Sequence, residues 1–302
     1  MQNWRDEKNE FSILMLPPAF WLVTFFTLPL VVVWVYSFGN RGPLGETNLG
    51  FTLVNYVRAF ELVHMAILWK TVWITIIVTA LCFAFGFPMA MAISFAPGKW
   101  KLRLLMLVIL PFWTNLLIRT YAWIAILRPR GILNGGLKWI HDTWYSLIGY
   151  GVEEIPKFVP WEILYNDKAV VIGLVYVHIP FMILPIYATM EKLDKSFLEA
   201  SLDLGSSQMR TIFRVMMPLC MTGIVSGAML VFVLTLGNFI VADVLGGTNS
   251  LMIGNQIARQ FGAARDWPFG AALSFVILYA TFILLWLRSI YAARLEQRDA
   301  KR

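Results

Sequence analysis

Six long and almost uncharged apolar runs restrict this chain to folds that span a membrane. A helix of about 20 apolar residues crosses the hydrocarbon core of a bilayer, and each run is long enough to do so. The runs do not alternate between apolar and polar residues, which excludes transmembrane β-strands. We therefore predict an all-α integral membrane protein with six transmembrane helices. The predicted spans are residues 11–38, 66–95, 104–127, 169–190, 219–241 and 269–291.

The composition agrees with a membrane protein. Hydrophobic residues make up 59% of the chain and charged residues 14%, whereas soluble domains are about 45–50% apolar and about 25% charged. The first apolar run follows a charged head and lacks a small-residue cleavage site, so we interpret it as a retained span and not as a signal peptide. The net charge of +7 comes from basic residues in short loops and not from one basic face, which disfavours nucleic-acid binding.

Basic residues are unevenly divided between the two sides of the predicted topology. Lys and Arg are about twice as dense near the termini and in residues 94–103 and 191–218 as in the other loops. Because cytoplasmic loops carry the excess of Lys and Arg, we predict that both termini are cytoplasmic. The predicted organisation is a cytoplasmic N-terminus at 1–12, a six-span membrane domain at 13–293 and a basic cytoplasmic tail at 294–302.

The longest predicted outer loop, residues 128–168, is rich in glycine, proline and aromatic residues. Short amphipathic helices that rest on the membrane surface fit this composition. A plain connector fits it equally well, and the sequence leaves both interpretations open.

The chain shows no sequence pattern of a catalytic, nucleotide-binding or metal site. Its cysteines, Cys82 and Cys220, lack C-x-x-C spacing, and its three histidines are far apart. We therefore expect no catalytic residue, no metal and no cofactor on this chain. A membrane enzyme would need paired polar groups at one depth, and His178 has no evident partner. An ion-coupled carrier or channel would need mid-span carboxylates, whereas those of this chain lie at span edges.

A polar passage at residues 191–218 predicts two short helices between the fourth and fifth spans. Ser196 and Glu199 have the S-x-x-E spacing of a capping box, which starts the first helix. Gly205 follows where that helix ends, because glycine tolerates the left-handed conformation there. Ser206 or Ser207 can then cap the second helix. Apolar residues at helical spacing mark either an interaction site or packing against the spans. They are Leu198, Leu202, Met209, Ile212, Phe213 and Met216.

The spacing in this passage resembles a motif of ABC importer permeases. That motif consists of Glu-Ala-Ala, three residues, Gly, nine residues and Ile-x-Leu-Pro. Serine, valine and methionine replace an alanine, the isoleucine and the leucine, which are modest changes in size. The motif positions are occupied here by Glu199, Ala200, Ser201, Gly205, Val215, Met216, Met217 and Pro218.

The resemblance implies an ABC importer permease (MetI-like) fold in which residues 191–218 contain a cytoplasmic coupling helix. In such permeases the coupling helix docks into an ATP-binding subunit, whose ATP-driven closure moves the spans. The implied partners are a dimer of ATP-binding subunits that holds Mg-ATP, a second related permease and a periplasmic binding protein. The implied location is the bacterial inner membrane. The coupling residues are Glu199, Ala200, Ser201, Gly205 and Pro218 from the motif, with Leu202 and Met209 from the apolar faces.

Further segments of the sequence resemble one subgroup of these permeases, the spermidine/putrescine group, and within it the first permease subunit. It covers most of residues 70–285 and implies that the chain forms half of a pathway for polyamines. Relatives that import opines, other amines, amino acids or organic acids share much of this framework, so these substrates remain alternatives. The similar segments are residues 111–127, 173–187, 191–205, 244–247 and 265–272.

Polar and aromatic residues in or beside the spans are candidates for lining a pathway, because ionisable groups are costly inside a bilayer. A polyamine needs carboxylates for its charges and aromatic faces for its ammonium groups and methylenes. Plainer roles compete, such as aromatic anchoring at membrane interfaces, pairing of Asp266 with Arg265, or helix capping by Asp266. The candidates are Trp113, Asn115, Tyr176, His178, Asn238, Asp243 and Asp266.

Arg119 follows Asn115 by four residues, so we expect the two side chains to share a helix face in mid-span. A cation in the pathway opposes a polyamine and suits an anionic substrate. Alternatively, Arg119 faces a carboxylate or extends to the membrane surface.

Overall fold

Helices make up nearly all regular structure in the computed structural model, which describes residues 8–43, 45–149, 155–248 and 250–299. Residues 1–7 of the predicted N-terminal segment and 300–302 of the predicted tail lie outside these ranges. The α-helices are α1 (Lys8–Leu22), α2 (Leu28–Ser37), α3 (Val54–Ala59), α4 (Leu62–Ser94), α5 (Gly98–Ile109), α6 (Leu116–Leu127), α7 (Ile132–Leu147), α8 (Asp167–Met190), α9 (Ser196–Asp203), α10 (Gln208–Thr211), α11 (Met217–Leu219), α12 (Met221–Leu236), α13 (Ile240–Gly246), α14 (Ile253–Phe261) and α15 (Trp267–Asp299).

Three irregular turns and one ribbon complete the described elements. The π-helical turn Val23–Thr27 joins α1 to α2, and a second one, Ile212–Met216, joins α10 to α11. A 3₁₀ turn, Leu110–Trp113, follows α5. The strands β1 (Asn40–Arg41) and β2 (Thr47–Asn48) form an antiparallel ribbon in which Asn40 lies opposite Asn48.

Four helices are long and apolar enough to cross a membrane, and two further helix pairs qualify if each bent pair counts as one span. The expected six spans are therefore reached when the bent pairs are included. The four single spans are Ile13–Ser37, Leu62–Ser94, Asp167–Met190 and Trp267–Trp286, and the bent pairs are Gly98–Trp113 with Leu116–Leu147 and Gln208–Leu219 with Met221–Leu236.

The third span departs from the continuous helix predicted over 104–127. The chain bends by 96° between Gly98–Trp113 and Leu116–Leu147. Thr114 is extended, and Asn115 caps α6 by accepting the Leu117 amide hydrogen at 2.8 Å. The predicted span is therefore present only as a bent pair, and the bend falls where Pro111, Thr114 and Asn115 interrupt the apolar run.

The fifth span also ends earlier than predicted. Helix α12 ends at Leu236 with Gly237 as its C-cap, and Asn238 Oδ1 accepts the Val241 amide hydrogen at 3.1 Å. A new helix, α13, therefore begins at Ile240, inside the predicted span 219–241. Asp243 lies on this second helix and does not end the span.

The chain divides into two compact units, Met1–Ala66 with Gln256–Arg302 and Ile67–Asn255. In the first unit, α15 packs against α2 and α3. Trp34 Nε1 donates to Tyr279 Oη at 2.8 Å, which joins the first and last spans. Asn55 is buried and its amide donates to the carbonyl of Gly39 at 2.8 Å, which fixes the turn after α2.

The second unit is built around α8, whose most extensive partner is α12. Gly223 and Gly227 of α12 lie against α8 with no room for a side chain at Gly223, because a Cβ there would overlap Thr189 Oγ1 and Pro185 O. Small residues at four-residue spacing let two helix backbones approach closely, as in membrane-helix packing. The core around this contact consists of fully buried Leu174, Met182, Ile183, Ile186 and Val231.

Candidate functional site

Residues 191–218, which the sequence predicts to contain a coupling helix and which are called the coupling loop below, begin with a cap other than the predicted one. Asp194 Oδ1 accepts the Ser196 amide hydrogen at 3.0 Å, and Ser196 is already the first residue of α9. The predicted capping box of Ser196 and Glu199 is therefore wrong, because the residue two positions earlier satisfies the free amide. Hydrogen bonds from the backbone amide and then the hydroxyl of Ser196 lower the pKa of the Asp194 carboxyl.

The turn between α9 and α10, residues 204–207, is called the elbow below. Gly205 has φ of +83°, the left-handed conformation predicted for it. The Gly205 amide donates to Leu202 O at 2.9 Å, and the Ser206 amide donates to Ser201 O at 3.1 Å. This pair of bonds is a Schellman motif, which satisfies the last carbonyls of α9. Ser207, one of the two predicted caps, accepts the Arg210 amide hydrogen at 3.4 Å.

Contacts on both sides of the elbow hold the two short helices together. The Ser201 and Thr211 hydroxyls lie 3.0 Å apart and join α9 to α10. Leu198 is buried in the core of the second unit. At the start of the loop, Lys101 Nζ donates to both carboxylate oxygens of Glu191 at 2.8 and 2.7 Å. These contacts hold the two short helices of the loop to each other and to the rest of the second unit.

The outer surface of the coupling loop combines charged side chains, among them Asp203, Arg210 and Arg214, with a group of exposed apolar ones. Glu199, Ala200 and Pro218 are exposed, and Ser201 is half-buried. Within the predicted apolar stripe, Met216 is buried and Ile212 is half-buried, so one part of the stripe packs against the core and the other part is exposed. The exposed apolar side chains are Phe197, Leu202, Leu204, Met209 and Phe213.

Leu204 is the most prominent of these side chains, with 89% of its surface exposed. Sequence reasoning missed it because it lies at the end of α9 and outside the helical stripe. Its position directly before a helix-ending glycine was the available signal, since residues there project from the turn. Large exposed apolar side chains in a cluster indicate an interaction surface.

Three of the polar residues considered in the sequence meet in one cavity of the second unit, called the cavity below. It has a volume of about 350 Å³, and its polar lining consists of Arg119, His178 and Asn238. The apolar lining comes from residues within 112–116, 177–181 and 234–240. No carboxylate belongs to the lining that the described residues form.

The breaks in the third and fifth spans create this cavity. Arg119 lies on α6 after the break at Thr114, and Asn238 lies in the gap between α12 and α13. His178 is buried on α8, with Nδ1 at 2.9 Å from Leu174 O and 3.3 Å from Thr235 Oγ1. A carbonyl only accepts, so Nδ1 carries the hydrogen, and in a neutral ring Nε2 is then the acceptor. An ammonium group is a suitable donor to such a nitrogen.

The other predicted pathway residues of the second unit do not line the cavity. Trp113 is 86% exposed, and Asn115 is used as the cap of α6 and not as a mid-span neighbour of Arg119. Tyr176 is half-buried, and its ring meets that of Trp123 edge-on with centroids 5.5 Å apart. Asp243 is exposed and accepts from Asn255 Nδ2 at 3.4 Å.

Asp266 belongs to the first unit, where its carboxylate has structural partners. It is buried, and Oδ2 lies 3.1 Å from Arg58 Nη1, while Oδ1 accepts the Phe269 amide hydrogen at 3.2 Å. The Arg58 guanidinium also lies over the Phe269 ring, 4.1 Å from its centroid. The capping role considered for Asp266 is confirmed, and its ion-pair partner is Arg58 and not Arg265.

These features are those of a membrane-spanning protein with a glycine elbow that exposes apolar side chains and a polar cavity between broken spans. The sequence profile of the family described as "Binding-protein-dependent transport system inner membrane component" matches residues 84–297, more than half of the chain. The chain belongs to this family.

The relatives by sequence are permease subunits. The spermidine/putrescine transport system permease protein PotB of Salmonella typhimurium is 40% identical over 88% of this chain and 88% of its own length. The PotB protein of Escherichia coli is 39% identical over 88% of this chain and 91% of its own length. The inner membrane ABC transporter permease protein YdcU of Escherichia coli is 30% identical over 98% and 93% of the two chains.

A solved structure shows the same fold. A chain of a bacterial ABC transporter involved in the import of the acidic polysaccharide alginate aligns with a TM-score of 0.66 at 17% identity, over 96% of this chain and 98% of that chain. The fold of this chain is therefore the MetI-like fold of ABC importer permeases, and the chain is a multi-pass protein of the inner membrane.

Proposed function

We propose that the chain is one of two related permeases that together form the pathway of an ATP-driven importer for spermidine- or putrescine-like polyamines. The observation that carries this proposal is the sequence identity to two PotB permeases, which is 40% and 39% over 88% of the chain. In the cavity, the Nε2 atom of a neutral His178 ring can accept a hydrogen bond from an ammonium group.

The elbow supports a division of labour with a separate ATP-binding subunit. In this proposal the exposed cluster around Leu204 and Met209 enters a groove of that subunit, which holds Mg-ATP. The bonds across Gly205 make the loop rigid, so a movement of the ATP-binding subunit displaces the loop as a lever. Both termini and the coupling loop are then cytoplasmic, and a periplasmic binding protein delivers the substrate on the other side. This chain itself binds no cofactor.

Reconstitution into proteoliposomes tests the substrate. The chain, the second permease and the ATP-binding subunit are reconstituted together, and uptake of labelled spermidine and putrescine is measured with the binding protein outside. We expect ATP-dependent uptake that excess unlabelled polyamine suppresses and that excess opine, amino acid or organic acid leaves unchanged. Suppression by one of those other solutes, without suppression by polyamines, contradicts the proposed substrate. Hydrolysis of ATP by this chain alone contradicts the proposed division of labour.

An importer of an organic acid or another anionic solute is the second candidate. One observation favours it: Arg119 is the only charged residue in the cavity lining formed by the described residues, and it is a cation. The same competition panel decides between the two, because an anionic substrate predicts competition by organic acids.

A further inference from the structure

The guanidinium of Arg119, which lines the cavity, has no carboxylate partner among the described residues. Its Nε atom is buried and has no hydrogen-bond partner among the described residues. The other polar groups of the lining are the ring of His178 and the amide of Asn238, and the described part of the chain contributes no carboxylate there. An arginine side chain stays charged in proteins, and an unpaired charge inside a membrane protein is strongly unfavourable. An anion from outside this chain would neutralise this charge.

The position of Arg119 on α6 indicates where that anion approaches. Thr120 and Leu127 are buried, and they mark the side of α6 that faces this chain's own core. Ile118, Ala122 and Ala125 are exposed on the other side, and Arg119 lies at the border between the two. Exposed alanines at three-residue spacing allow another helix to come close.

We propose that a carboxylate on a membrane span of the second permease pairs with Arg119 and closes the cavity from the partner side. The inference rests on the proposed function in one respect, namely that a polyamine, as a cation, cannot supply this anion itself. A guanidinium binds a carboxylate through two parallel hydrogen bonds, which fixes the orientation of the facing helix as well as its charge. The pair would set the width of the pathway and remove the cation that otherwise opposes a polyamine.

Chemical charge restoration tests the need for a cation at this position. Arg119→Cys is well suited to it because Cys82 and Cys220 are both buried. The variant is treated with a methanethiosulfonate reagent that adds an ethylammonium group or with one that adds an ethylsulfonate group. We expect the cationic adduct, and not the anionic one, to raise recovery of the heterodimer by about tenfold or more, as for a close charge pair across an interface. Equal effects of the two adducts overturn the proposal.

Leu147→Cys is the control, since this residue is 79% exposed, carries no charge and lies on α7 and not on the face of α6 assigned to the partner. Its two adducts should act alike. Recovery of the heterodimer is measured without substrate, so the result does not depend on which solute the importer carries. The rates at which the two reagents modify the thiol are measured in the same way. Failure of polyamine uptake therefore counts against the proposed function, and loss of charge selectivity at Arg119→Cys counts against the present inference.

Charge exchange identifies the source of the anion. Arg119→Glu is combined with each Asp or Glu in the spans of the second permease changed to Arg, one at a time. We expect Arg119→Glu alone to prevent assembly and one exchanged pair to restore it. Failure of every pair, or normal assembly of Arg119→Gln, overturns the proposal. A charge effect seen only in vesicles with anionic phosphatidylglycerol assigns the anion to lipid and also overturns the proposal. A charge effect seen only in the presence of an anionic solute overturns it in the same way.

Discussion

Replacement of Gly205 separates the conformation of the elbow from its contacts. The backbone at Gly205 is left-handed, with φ of +83°, and a Cβ added there meets nothing within 4 Å. A substitution therefore introduces no clash, and its whole cost is the backbone conformation. For an L-residue this cost is about 1–2 kcal/mol, so the elbow is populated about 5- to 30-fold less in Gly205→Ala. A β-branched residue suffers more, and Asn, which tolerates this conformation, suffers less.

We therefore expect coupling to decrease in the order wild type, Gly205→Asn, Gly205→Ala and Gly205→Val. The assay is ATP hydrolysis stimulated by the binding protein in proteoliposomes, together with the amount of ATP-binding subunit that copurifies. The melting temperature of the isolated chain should hardly change, because the elbow is exposed and local. Gly98→Ala is the matched control, since a Cβ there also meets nothing within 4 Å and φ is not positive. Wild-type coupling in Gly205→Val refutes the reasoning.

Three substitutions test other parts of the account. Leu204→Ala should weaken copurification of the ATP-binding subunit by about tenfold, as for an interface anchor, with an unchanged melting temperature, since 89% of this side chain is exposed. Gly223→Leu should destabilise the α8–α12 contact by about 1–3 kcal/mol or more and lower the melting temperature, whereas Gly136→Leu, which meets nothing within 4 Å, should not. Asp266→Asn keeps the helix cap but loses the ion pair with Arg58. Because the Arg58 side chain is 40% exposed, the free energy of unfolding should fall by only on the order of 1 kcal/mol. The KM for polyamine uptake should stay unchanged. A normal melting temperature in Gly223→Leu, or a raised KM in Asp266→Asn, contradicts the respective assignment.

Local signals in the sequence predicted the elbow well. Gly205 and Ser207 act through their own backbone and near neighbours, so their roles follow from spacing alone. The start of α9 was predicted less well because Asp194 and Ser196 both have capping side chains, and only the structure shows that Asp194 makes the bond.

Features that depend on distant residues were not predictable in the same way. The break at Thr114 and Asn115 follows Pro111, which permits a kink, but the size of the bend depends on how the two helices pack and not on the local sequence. The partner of Asp266 is Arg58, which is 208 positions away along the chain. The meeting of Arg119 with His178 likewise depends on how α6 packs beside α8, which periodicity does not specify.

Cysteine crosslinking at the elbow tests the central claim most directly. Leu204→Cys provides an accessible thiol, because Cys82 and Cys220 are buried. Vesicles that contain the complete importer are first shown to take up labelled spermidine and are then treated with a thiol-specific crosslinker. The account predicts a crosslink between this residue and the ATP-binding subunit, and loss of spermidine uptake as the crosslink forms. Absence of that crosslink in vesicles that import spermidine, or a crosslink to the periplasmic binding protein, contradicts the account.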